Sequence, residues 1–161
     1  MKNGLKILNI ALVLLSMLTI FLFSSENSTE SSKTSKTVAR EIVDIVVKDK
    51  SLTDLQRNKI ADDNMKVVRK VAHFLEFFIL GFLLVNLLKD YSKVTWLVVI
   101  TCLSFACFYA CTDELHQLFV SGRSGQVMDV GVDTLGSTLG IMTYCTIYDS
   151  ANKFRKRMKK A

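Results

Sequence analysis

Four stretches of this chain, Leu5–Phe23, Val67–Leu88, Val94–Cys111 and Val127–Tyr148, limit its folds more than any other feature. Each is close to the ~20 apolar residues that cross a ~30 Å hydrocarbon layer. No water reaches the backbone there, so each must satisfy its own N–H and C=O groups as a helix. Half the residues are apolar and proline is absent, and both features come from these segments rather than from a globular core. The expected fold is all-α: a membrane helical bundle with four transmembrane helices, forming one domain over residues 1–161. Residues 24–66 are then an outer segment and 149–161 a basic tail.

The net charge of +6 would suit nucleic acid, but its distribution does not. The densest basic run, Lys153, Arg155, Lys156, Arg157, Lys159 and Lys160, follows an apolar segment directly. It reads as a cytoplasmic anchor near anionic lipid. No basic groove interleaved with aromatics is present, so the expected partner is the lipid bilayer and not a nucleic acid. Lys and Arg near the helix ends place the N-terminus, the Lys89–Lys93 turn and the tail inside, with both termini cytoplasmic in the cell membrane. Lys66, Arg69 and Lys70 lie near an outer helix end and weigh against that orientation. The run Ile7–Phe23 is longer than a signal-peptide core and no A-x-A site follows, so it is read as a retained first helix.

The outer segment begins with SSENSTESSKTSKT, which is too polar to bury a core and is expected to be extended. Val38, Ile42, Ile45 and Val46 then recur at helical spacing. A further short helix is expected from Ser51, with Asp54 three residues on as a weak capping box. The four cysteines, Cys102, Cys107, Cys111 and Cys145, form no C-x-x-C pair and read as small buried hydrophobes.

The stretch Tyr109–Gly140 is polar between apolar flanks, and ionisable residues at such a boundary are costly unless paired or used. Arg69, His73 and Glu76 share one face of the second membrane helix. Asp113, Glu114, His116 and Gln117 lie at the far end of the third, and Asp129, Asp133, Gly136 and Gly140 on one face of the fourth. The two glycines read as a close helix contact. With the orientation above, all these carboxylates and histidines fall in the outer third of the bundle. His73, Glu76, Asp113 or Glu114, His116 and Asp129 are therefore expected to line one cavity, while Phe77–Leu88 is plain lipid-compatible packing.

Acid–base chemistry is well supplied: His73 or His116 could shuttle a proton, with Glu76, Glu114 or Asp133 holding the tautomer. Asp113 and Asp129 complete the catalytic candidates. No nucleophile elbow is present. His73-x-x-Glu76 and Glu114-x-His116 match no strong metal motif, so neither a metal nor another cofactor is expected. Ser121–Gly125 is a glycine-flanked arginine turn. It either presents Arg123 to an anionic, lipid-linked or small-molecule ligand, or is a tight turn whose arginine pairs with Asp129 or a headgroup. Gln117 and Asp133 join Arg123 as ligand-binding candidates.

The segments Arg69-Lys70-Val71-Ala72-His73-Phe74-Leu75-Glu76 and Asp113-Glu114-Leu115-His116-Gln117-Leu118-Phe119-Val120-Ser121-Gly122-Arg123, with Asp129, Gly136 and the Phe23-Ser24-Ser25 end of the first helix, resemble the VanZ family of small membrane proteins. The likeness covers most of the chain except Glu26–Lys66 and the tail. Where that pattern commonly has Pro before Gly-Arg and Asn in the fourth helix, this chain has Ser121 and Asp133. The resemblance implies an integral membrane protein of the bacterial envelope that lowers sensitivity to glycopeptides such as teicoplanin. A membrane-embedded enzyme acting on a lipid-linked or wall-related substrate is the alternative.

Overall fold

The computed structural model describes residues 2–48 and 51–159. Lys160 of the basic run lies outside the described residues. Among the described residues the fold is all-α, with five helices: α1 (Lys2–Ser24), α2 (Ser28–Val46), α3 (Asp54–Leu88), α4 (Trp96–Gln117) and α5 (Val127–Met158).

α3 is the centre, and each of the other helices packs on it. Its apolar half buries Phe77, Leu80, Leu84 and Val85 against Val13 and Ile20 of α1, Val98, Cys102, Ala106 and Ala110 of α4, and Ile141 and Tyr144 of α5. Large residues such as Leu8, Leu14, Leu15, Leu18 and Leu22 of α1 point outward and are exposed. That inversion is stable where lipid, not water, surrounds the bundle.

Among the described residues, α1, α3 and α4 are long and apolar enough to cross a membrane. α5, expected as a fourth span, falls short of that measure, because Asp133, three glycines and several threonines dilute its apolar content. It lies closest to α3. Methyl groups added at Gly136 and Gly140 would overlap the backbone carbonyl oxygens of Phe74 and Phe78, and one at Gly81 would sit 2.8 Å from the Cα of Ser137. The glycine pair is therefore a close helix contact.

The outer segment differs from its expectation in three ways. The Ser/Thr-rich stretch is helical from Ser28, because the Asn27 side chain accepts the N–H groups of Thr29 and Glu30 and so caps α2. The next helix starts at Asp54, not Ser51: Thr53 and Gln56 form a reciprocal capping box. That helix does not stop before Val67 but runs on unbroken to Leu88 as α3. α2 folds back on the first half of α3. Ser31, Ser35, Ala39 and Val43 face inward, and Val38, Ile42, Ile45 and Val46 face outward. Small residues let the helices approach, and ion pairs Lys36–Asp62 at 2.7 Å and Arg40–Asp54 at 2.8 Å close the seam.

Two further expectations are also corrected. Phe77–Leu88 is not plain packing. Asn86 donates to Asn9 Oδ1 at 2.9 Å and accepts from Lys89 at 2.6 Å and Tyr144 at 3.2 Å, while Asn9 donates to Asp90 at 2.6 Å. This network ties α1, α3 and α5 together. Of the cysteines, only Cys102 is buried, and Cys111 is exposed on the outside of α4.

Candidate functional site

The polar ends of four helices meet at one level of the bundle. α1 and α4 run parallel and end together, where Ser24 Oγ donates to Asp113 Oδ2 at 2.8 Å. α3 and α5 run the other way, and Lys70 of α3 forms an ion pair with Asp129 in the first turn of α5. The connecting turn 118–126 closes the gap between α4 and α5. Gly122 takes φ 73°, which glycine adopts without cost, and a Cβ there would collide with Ser28. Ser28 N–H donates to the Ser121 carbonyl at 3.2 Å, so α2 is docked on this turn.

Between these elements lies a cleft of about 330 Å³. α3 contributes Lys66, Arg69, Lys70 and His73, α4 contributes Glu114 and Gln117, the turn contributes Arg123, and α5 contributes Asp129 and Asp133. A smaller cavity of about 170 Å³ sits behind it under α2 and is lined by His73, Glu76 and Arg123 among others. Arg69, His73 and Arg123 belong to both.

The buried carboxylates differ in how they are satisfied. Asp113, 4% exposed, accepts from Ser24 and from Gln117 Nε2 at 3.0 Å. Glu114 accepts from Gln117 at 3.2 Å and from the Gln126 N–H at 2.8 Å, so it pins the turn to α4. Asp133 is 1% exposed and neither of its oxygens has a hydrogen-bond partner. His73 Nδ1 and Glu76 Oε2 are buried and unpartnered as well. One ligand atom each from His73, Asp113 and Asp133 all lie within 4.8 Å of one another.

Arg123 turns inward rather than toward Asp129, whose oxygen Lys70 takes. Its guanidinium donates to the Ser24 carbonyl at 3.2 Å and to Ser31 Oγ at 2.6 Å, which holds the end of α1 and the start of α2. Burial, and then the charge of Arg69, lower its pKa from the ordinary arginine value. A guanidinium nevertheless stays a cation in proteins. His116 stands apart from both cavities: its Nε2 lies 3.0 Å from Ser25 Oγ and its ring 4.8 Å from that of Phe21. Thus His73, Glu114, Gln117, Arg123, Asp129 and Asp133 share the main cleft. Glu76 lies in the rear cavity, Asp113 beside His73, and His116 against α1.

Ser24, Ser31 and Lys70 are the site residues that sequence reasoning missed. Ser24 ends an apolar run beside Ser25, a weak signal. Ser31 sits among many serines and carries none. Lys70 was visible only as one of several basic residues at a helix end.

A bundle with three helices long and apolar enough to cross a membrane, and a polar cleft between its helices, has the make-up of a membrane protein. The VanZ/LLP1 family matches residues 9–148, and the chain belongs to it. No curated protein and no solved structure matches the chain.

Proposed function

We propose that this VanZ-family protein spans the bacterial cell membrane four times, with both termini cytoplasmic. Its outward-opening cleft receives the anionic headgroup of a lipid-linked or wall-related molecule. By doing so it lowers sensitivity to glycopeptide antibiotics such as teicoplanin, as family membership implies. The observation that carries the headgroup reading is the cleft itself, which Lys66, Arg69, Lys70 and Arg123 line together with His73, Glu114, Asp129 and Asp133. Clustered cations at a partly dry opening attract phosphate or carboxylate, and Arg123 has N–H groups to spare beyond the two bonds it makes. α5 supports the fourth span by packing along α3 with its basic end beyond the apolar part.

A second reading, acid–base catalysis on a lipid-linked substrate, is favoured by the placement of His73 within reach of both Asp113 and Asp133.

A deletion strain complemented with wild type, Arg123→Lys or Arg123→Ala tests the proposal against a panel of wall-active antibiotics, with membrane levels measured in parallel. Both variants should lose most of the protection at normal protein levels, because lysine keeps the charge and loses the fork. Wild-type protection from Arg123→Lys would remove the guanidinium from ligand binding. A deletion with unchanged glycopeptide sensitivity would end the resistance reading.

A further inference from the structure

We propose that His73, Asp113 and Asp133 form a binding site for a divalent cation, of the Mn²⁺ or Zn²⁺ kind, at the floor of the cleft. The three residues come from α3, α4 and α5, so no local spacing announces them in the sequence.

The geometry presents a buried carboxylate that nothing satisfies. Asp133 is almost wholly buried, no basic side chain among the described residues pairs with it, and both of its oxygens lack hydrogen-bond partners. An ionised carboxylate left that way costs several kcal/mol. One ligand atom from each of the three residues lies within 4.8 Å of the other two. Ligands around a cation at about 2.1 Å stand roughly 3–4.2 Å apart, so a small closure of the side chains encloses one.

The ligand chemistry agrees. Two carboxylates balance the charge of a divalent ion and neutral imidazole is a common metal ligand. One imidazole with two carboxylates suits Mn²⁺ or Zn²⁺ better than Ca²⁺ or Cu⁺. The orienting partners that metal ligands usually have are present on Asp113, where Ser24 and Gln117 both donate to Oδ2. Three protein ligands leave coordination positions open toward the cleft. There an anionic headgroup or water completes the sphere, and this last point alone rests on the headgroup reading.

The test uses the full, tag-free chain in nanodiscs, titrated with Mn²⁺ and followed by loss of the free-ion EPR signal, with Zn²⁺ as competitor. Wild type should bind one equivalent, with Zn²⁺ displacing it. Asp133→Asn and Asp113→Asn should weaken binding at least about tenfold, while His116→Ala, outside both cavities, should bind like wild type. Should Asp113→Asn fail to fold, His73→Gln serves the same purpose, and pulsed EPR on the wild type should show nitrogen coupling from a coordinated imidazole. Absence of binding by wild type, wild-type binding by Asp133→Asn, or absence of that coupling would each overturn the site. Mn²⁺ binding is read in phosphatidylcholine nanodiscs with no anionic headgroup present, so failure of one proposal is visible separately from failure of the other.

Discussion

Replacing glycine by alanine at three positions of α5 should change stability with opposite signs. At Gly131 an added Cβ meets nothing within 4 Å. Alanine there only restricts the unfolded chain and improves helix propensity, a gain of about 0.5–1 kcal/mol. At Gly136 the same methyl would overlap the Phe74 carbonyl oxygen and lie 3.1 Å from its carbon and 3.3 Å from its Cα. At Gly140 it would overlap the Phe78 carbonyl oxygen and sit 3.0 Å from the Phe82 nitrogen. These neighbours are helical backbone and cannot swing aside. Restoring contact at about 3.5 Å requires the two helices to part by on the order of 1 Å. Overpacking of this kind costs about 1–3 kcal/mol, which outweighs the propensity gain. Thermal unfolding of each variant in one detergent gives the comparison. Gly131→Ala should melt at or above wild type, and Gly136→Ala and Gly140→Ala clearly below it. Gly136 is one turn from Asp133, so its alanine variant should also disturb the site. Equal melting of Gly140→Ala and Gly131→Ala would refute the close α3–α5 contact on which the arrangement depends.

Asn86→Ala removes the group that joins Asn9, Lys89 and Tyr144. It should lower stability by about 1–3 kcal/mol without changing ligand or cation binding, as a melting curve beside a binding titration would show. Thr53→Ala removes the side-chain half of the α3 capping box. It should cost about 1 kcal/mol and raise hydrogen exchange in the first turns of α3 only. Single cysteines at Ser28 or Ser124 in a background without native cysteines should react with an impermeant thiol reagent from outside, and one at Lys159 only from inside. Labelling of Ser28→Cys and Lys159→Cys from the same side would contradict the orientation.

The helices of the bundle were legible because the bilayer leaves so few alternatives: runs such as Val94–Cys111 must be helical wherever lipid surrounds them. The clustering of polar residues at one end was legible for the same reason, since Asp113, Asp129 and Asp133 could not face lipid cheaply. The outer segment was less so. Serines and threonines read as disorder by composition, yet Ser31 and Ser35 are small enough to let α2 lie close on α3, and Asn27 supplies the cap. That requires knowing which surface is nearby. α3 as one helix was hidden by the change from polar to apolar at Val67, although nothing in the backbone interrupts it. The pairing within the site was the least legible. Which carboxylate Lys70 takes, and that Arg123 turns to Ser24 and Ser31, depend on helix positions that a single sequence does not specify. The same holds for His116, which shares a motif with Asp113 and Gln117 but points to Phe21.

The central claim is that the cleft binds an anionic headgroup through Arg123 and its basic neighbours. Calorimetric titration of the purified chain in phosphatidylcholine nanodiscs with a short-chain phosphatidic acid tests it most directly, with a phosphatidylcholine of the same chain length as the neutral control. Saturable binding of the phosphatidic acid is expected, with none of the control, and at least about tenfold weaker binding by an Arg123→Lys protein shown by its melting curve to be folded at the titration temperature, a loss of about 1.4 kcal/mol or more. Equal heats for the two lipids, or an Arg123→Lys titration that overlays wild type, would contradict it.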